Sequence, residues 1–253
     1  MSGPTEPVDE PLVLLPGMNC SARLWSDVET GLSRRMPGLR VQHRPLQSSS
    51  IDAGAHALLD TLPQRFALAG LSLGAIVAMA MARIAPERVT RLCLMATNPY
   101  APTSGQRQSW QRLRQDLAAG RAPRDIQHEM LPILLAGPAR TPNLDERVLR
   151  MADETGSAAL DRQLASQATR IDERPALRRV SVPTLLLAGG DDALCPVAKH
   201  EEMHQIIEDS RLAVLPGVGH LMTLEAPDTV SGYMAEWLSA RRASHEREPS
   251  SPA

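Results

Sequence analysis

Aromatic side chains are nearly missing from this chain: one Phe, two Tyr and three Trp make up 2% of its 253 residues. Ring stacking on a substrate is therefore not expected. An interior filled by Leu, Ala, Val and eleven Met implies an aliphatic pocket instead. Cysteine is equally scarce, and Cys20, Cys93 and Cys195 show neither a paired framework nor metal spacing. They read as reduced thiols of a cytoplasmic protein, with Cys20 a small filler. A formal charge of −2 offers no attraction for nucleic acid or for an acidic membrane. No apolar run approaches the roughly 20 residues of a membrane span, and the opening MSGPTEPVDEP is polar and proline-rich, unlike a secretory leader. The expected partner is a small molecule, with oligomeric state left open.

What is present is enough apolar material, 43% of the chain, for one large α/β core. Short apolar runs predict strands at Leu12 to Leu15, Leu39 to His43, Phe66 to Leu71, Val89 to Ala96, Val182 to Ala188 and Arg211 to Leu215, with helical patterns between them. That alternation predicts a mostly parallel, doubly wound sheet of about six strands covered on both faces. The core is expected over 11–100 and 181–241, with disordered polar tails at 1–10 and 242–253. The gap from Tyr100 to Val180 is too long for a loop and carries helical runs at Gln106 to Ala119, Pro123 to Leu135, Asp145 to Asp153 and Ser157 to Ile171. It predicts a helical cap over 101–180. Trp110, Met130, Leu134 and Leu135 are its candidate pocket-lining residues, against the plainer reading that they form the cap's own small core.

The five residues GLSLG, Gly70 to Gly74, follow the apolar run Phe66 to Ala69 and precede a small-residue helix pattern, Ala75 to Ala85. A strand, a tight turn and a helix in this order force Ser72 into a strained conformation, and glycines 70 and 74 let the backbones pass closely. Ser72 is therefore a nucleophile candidate. The N–H of Leu73, at the start of the helix, can stabilise developing negative charge.

A serine hydroxyl is nearly inert near neutral pH, so it needs a histidine base and a carboxylate to orient that base. Of seven histidines, His220 has the best surroundings: the strand RLAVL precedes it and PGVGHLMTLEAPD places it in a loop past the strand end. The strand TLLLA runs into GGDDALCP, which offers two aspartates. Asp192 is chosen, and Asp191 is expected to point away or cap the turn.

With the elbow AGLSLGA, the acid loop GGDDALCP, the histidine loop PGVGHLMTLEAPD and the early segment LLPGMNCSARLW, the chain resembles the α/β-hydrolase superfamily over nearly its whole length. The order serine, aspartate, histidine agrees with that fold. The resemblance implies Ser72 as nucleophile, His220 as base and then acid, Asp192 as orienter, and the N–H groups of Met18 and Leu73 as oxyanion hole. Pro16 and Ala75 depart from residues common in relatives, histidine and glycine respectively. Leu71 stands where relatives that cut carbon–carbon bonds carry asparagine, and is similar to what enol-lactonases carry.

One motif competes. His200, Glu201, Glu202, Met203 and His204 match the helical zinc-protease pattern, with Glu225 as a candidate third ligand. The helix falls where an outer crossover is expected, so a solvated helix face is the preferred reading and no metal or other cofactor is expected. The expected function is a serine hydrolase that cleaves a small carboxylic ester or lactone through an acyl-enzyme. Thioester hydrolysis, acyl transfer, cofactor-free perhydrolysis and non-catalytic ligand binding on the same fold are the alternatives.

Overall fold

The computed structural model describes residues 10–240. The expected tails lie outside them, apart from Glu10, which pairs with Arg65 at 2.8 Å. Six strands form one sheet: β1 Leu12–Leu15, β2 Val41–His43, β3 Phe66–Leu71, β4 Val89–Met95, β5 Thr184–Gly189 and β6 Ser210–Leu215. Their spatial order is β2-β1-β3-β4-β5-β6 and every neighbouring pair is parallel. Ten α-helices accompany them: α1 Ser26–Arg35, α2 Ile51–Leu59, α3 Leu73–Ile84, α4 Ser104–Ala118, α5 Pro123–Leu134, α6 Pro142–Gln167, α7 Arg174–Leu177, α8 Val197–Ile206, α9 Met222–Glu225 and α10 Pro227–Ser239.

Side chains that alternate along a strand leave on opposite faces. Leu12, Leu14, Ala67, Ala69, Leu71, Leu185 and Leu187 therefore pack on one side, with Trp25, Val28 and Leu32 beside α1 and Val230, Met234 and Trp237 of α10. Val13, Leu15, Phe66, Leu68, Leu92, Leu94 and Leu186 pack on the other, against α2, α3 and Met203 of α8. Each fully buried Leu or Phe contributes roughly 1.5–3 kcal/mol of transfer free energy, so two such cores hold the sheet from both faces. Strand β2 starts two residues later than expected, at Val41, and β5 begins at Thr184 rather than Val182. Strand β4 ends at Met95, because Ala96 takes a φ of 47° and turns the chain.

The chain steps from β1 outward to β2, then returns to place β3 on the other side of β1. Such a reversal opens a crevice at the carboxyl ends of the two strands, and in parallel sheets ligands bind there. The stretch between β4 and β5 is helical: α4 and α5 each pack on α6. Within α6 the backbone breaks at Gly156, whose φ of 72° and ψ of 162° are not helical, between the two runs expected there. The second run ends at Gln167, four residues short of the expected Ile171. No described helix is long and apolar enough to cross a membrane, and all three cysteines are free and buried.

Candidate active site

The turn after β3 is as tight as its sequence requires. Ser72 has a φ of 55° and a ψ of −114°, and its N–H donates to the Met95 carbonyl at 2.9 Å. A Cβ on Gly70 would lie 2.4 Å from the Gly74 carbonyl, and one on Gly74 would lie 2.2 Å from the Leu15 carbonyl oxygen. Only glycine lets β3, α3 and the end of β1 approach so closely. Helix α3 starts at Leu73, so the Leu73 N–H is one of the donors a helix leaves without an internal acceptor.

His220 and Asp192 meet, although 28 residues separate them: Nδ1 and Oδ2 lie 2.8 Å apart and both side chains are buried. Asp191 is exposed. The turn-capping role expected of Asp191 belongs to Asp192 as well, whose Oδ1 accepts the N–H groups of Leu194 at 2.8 Å and Cys195 at 2.9 Å. Burial alone would raise the Asp192 pKa, yet the bonds from His220, Cys195 and Leu194 hold it below the usual carboxylate value. Asp192 is thus an anion at neutral pH.

The histidine loop is fastened from the far side. The N–H groups of His220 and Leu221 both donate to the Leu134 carbonyl at the end of α5, at 3.0 and 3.1 Å. Glu225 Oε2 accepts from the N–H of Gly219 at 2.9 Å and of Ala136 at 3.0 Å, while burial raises its pKa. In the sequence Glu225 stood out only as a possible metal ligand; here it ties the loop to the end of α5.

Met18 follows β1 and precedes Asn19, which has a φ of 57° and is buried. The Asn19 N–H donates to Gln163 Oε1 at 2.8 Å, and its Nδ2 donates to Gln127 Oε1 at 2.8 Å and to the Pro123 carbonyl at 3.2 Å. The loop carrying the Met18 N–H is therefore held by α5 and α6. Neither Gln127 nor Gln163 was singled out in the sequence, because their partner lies more than a hundred residues away.

Gly17, Met18, Ser72 and His220 line one cavity of about 270 Å³. Trp110, Met130 and Leu134 line it too, together with Ile126, Leu160 and Leu164. Leu135 is not among the lining residues and belongs to the buried core. Trp110 also packs on the small cluster of Leu117, Ile126, Leu160 and Leu164, so the pocket wall and the helices' own core are partly the same residues. Cys20 lines the cavity as a buried thiol that burial pushes up to about 12, protonated at neutral pH.

The zinc-protease pattern dissolves on α8. His200 is fully buried and its Nε2 accepts the Thr97 N–H at 3.1 Å, whereas His204 is exposed, with Nδ1 and Ser210 Oγ 2.8 Å apart. His200 faces the core with its Nε2 engaged and His204 faces solvent, so the two do not converge on one open position as a shared metal requires, and the α8 face is solvated at Glu201 and His204 but not at His200. Among the described residues, the donor set compact enough for a metal is Asp192, Cys195 and His220. There the Asp192–His220 hydrogen bond already joins two of the three, and burial pushes the Cys195 thiol up to about 12.

The model of the alpha/beta hydrolase family matches residues 12–232. The chain belongs to that family. Among relatives of this alpha/beta hydrolase, the pimeloyl-[acyl-carrier protein] methyl ester esterase of Aromatoleum aromaticum is 31% identical, over 86% of this chain and 93% of its own length. Among solved structures, a thermophilic esterase from Thermogutta terrifontis, solved with malate bound, superposes with a TM-score of 0.80 at 26% identity, covering 90% of this chain and 89% of that one. The enol-lactonase of Burkholderia xenovorans shares the fold of this hydrolase, with a TM-score of 0.80 at 19% identity and 92% coverage of both chains.

Proposed function

We propose that this alpha/beta hydrolase is a serine esterase that cleaves a small carboxylic ester or lactone through an acyl-enzyme. The observation that carries the reading is the buried Asp192–His220 hydrogen bond on a histidine that lines the same cavity as the strained Ser72. The esterase names of its relatives support the bond type.

In this reading Ser72 Oγ attacks the carbonyl carbon while its proton passes to His220 Nε2, and Asp192 stabilises the imidazolium through Nδ1. The carbonyl oxygen takes up the negative charge and accepts from the N–H groups of Met18 and Leu73. Loss of one such donor costs about 3–4 kcal/mol in comparable enzymes, so the Asn19 network that holds the Met18 loop supports the reaction alongside the triad. His220 returns its proton to the departing alkoxide. Water then attacks the acyl-enzyme, gives a proton to His220, and Ser72 leaves with it as the acid product is released.

Residues 101–180 act as a cap in this reading. Trp110 of α4, Met130 and Leu134 of α5 and Leu160 of α6 wall the cavity, which limits the access of bulk water to the acyl-enzyme. Three free, buried cysteines suit a reducing compartment, and we place the reaction in the cytoplasm. Hydrolysis of short p-nitrophenyl esters tests the reading: wild type turns them over, and Ser72→Ala falls to background. Turnover that survives Ser72→Ala would contradict it.

A further inference from the structure

The cavity wall mixes apolar side chains with neutral polar ones, and away from His220 it carries one arginine. Arg170, just past α6, is 7% exposed and lines the cavity with Asn98 and Gln167. A guanidinium carries five N–H donors and a full positive charge. Nη2 donates to Asn98 Oδ1 at 2.7 Å, to the Tyr100 carbonyl at 2.9 Å and, weakly, to the Asn98 carbonyl at 3.5 Å, and Nη1 donates to Gln167 Oε1 at 3.3 Å. Every acceptor is neutral. Nε is buried and has no partner.

No carboxylate pairs with Arg170 among the described residues, and those of the neighbouring elements are engaged elsewhere. Asp172 and Glu202 pair with Arg174, Glu173 with Arg83, and Asp192 with His220. Cys195, which also faces this end of the cavity, is a protonated thiol. Burial draws the Arg170 pKa down to about 10, which still leaves it charged at neutral pH. A buried, hydrogen-bonded cation without a counter-ion is costly, and an anion entering the cavity would offset that cost.

The distance from this cation to the reaction centre is short in bonds. Thr97 Oγ1 donates to the Ser72 carbonyl at 3.2 Å, and the next residue, Asn98, supplies the amide oxygen that holds Arg170. A cavity of about 270 Å³ leaves room for a small substrate whose two ends reach Ser72 and Arg170 together.

We propose that Arg170 is the recognition site for a carboxylate on the substrate, so that the preferred substrates are small esters or lactones bearing a free carboxylate, such as monoesters of short dicarboxylic acids. The proposal rests on the serine-esterase reading for the scissile bond, while the anion site itself stands on Arg170 alone. A charge-assisted, paired hydrogen bond selects its ligand, because the neutral analogue leaves the cation unpaired.

The test compares kcat/KM for monomethyl glutarate and dimethyl glutarate, which differ by one methyl group and one charge. Wild type is expected to favour the monoester by at least about tenfold, mostly through KM. In Arg170→Met the ratio falls to near one whatever the absolute rates, and in Arg170→Lys part of the preference returns. A merely structural Arg170 would lower both substrates together and leave the ratio where it was. A wild-type ratio of one or less, or a ratio indifferent to Arg170→Met, overturns the proposal. Should Arg170→Met not fold, the wild type decides: by calorimetry glutarate binds and glutaramide binds at least about tenfold more weakly, and glutarate competitively inhibits hydrolysis of p-nitrophenyl acetate. Equal binding of the two refutes the anion site. If glutarate binds selectively but no ester is cleaved, the esterase reading fails and the anion site survives.

Discussion

His220 Nδ1 lies 2.8 Å from Asp192 Oδ2, with both side chains withdrawn from solvent. The bond fixes the imidazole with its proton on Nδ1 and leaves Nε2, which has no hydrogen-bond partner among the described residues, free to take a proton from a hydroxyl in the cavity. Asp192 keeps its charge for this task because two backbone N–H groups hold its other oxygen.

Asp192→Asn should therefore lower kcat by about 10³–10⁴ on a p-nitrophenyl ester, since an amide favours the wrong imidazole tautomer. Asp191→Asn, at an exposed position, should change the rate by less than about twofold. Steady-state kinetics of the two variants checks the assignment, and equal losses would refute it.

The Met18 loop gives a second expectation. Gln163→Met removes the acceptor of the Asn19 N–H and leaves a buried donor unpaired. Stability should fall by about 1–3 kcal/mol in urea unfolding. If the loop carries an oxyanion donor, kcat should fall by about tenfold or more while KM moves less, because the loss is felt in the transition state. A loss of stability with kcat intact would leave Met18 outside the reaction.

Stability in acid depends on His200, whose pKa burial lowers from 6.5 to about 4, the Asp192 charge opposing in part. A depressed value means that the unfolded chain takes up the proton first. The stability tied to neutral His200 is thus complete above about pH 6.5 and is lost as pH falls towards 4, for a total of about 3 kcal/mol. The Thr97 N–H that Nε2 accepts would lose its partner on protonation. Unfolding curves at pH 7 and pH 4.5 should show wild type losing more stability than His200→Gln, and equal losses would contradict the assignment.

The parts legible in the sequence were those whose physics is local. Phe66 to Leu71 read as a buried strand, glycines 70 and 74 announced a close crossing, and the gap between the runs ending at Asp153 and starting at Ser157 is where the structure breaks the helix, at Gly156. His220 and Asp192 were readable because each directly follows a strand, where a parallel sheet gathers its chemistry. The illegible parts were polar residues recruited over long range. Arg170, Gln163 and Gln127 fall inside expected helical runs with nothing local to set them apart, and only the fold shows them buried. His200 read as a surface residue of α8 because nothing nearby announces that Thr97, about a hundred residues upstream, needs an acceptor.

The central claim is that Ser72 is the nucleophile and His220 its base. Reaction with a fluorophosphonate probe, followed by peptide mass spectrometry, measures it most directly. One adduct on Ser72, absent from Ser72→Ala and much slowed in His220→Ala, is the predicted result. An adduct on another residue, or none in the folded wild-type protein, would contradict it.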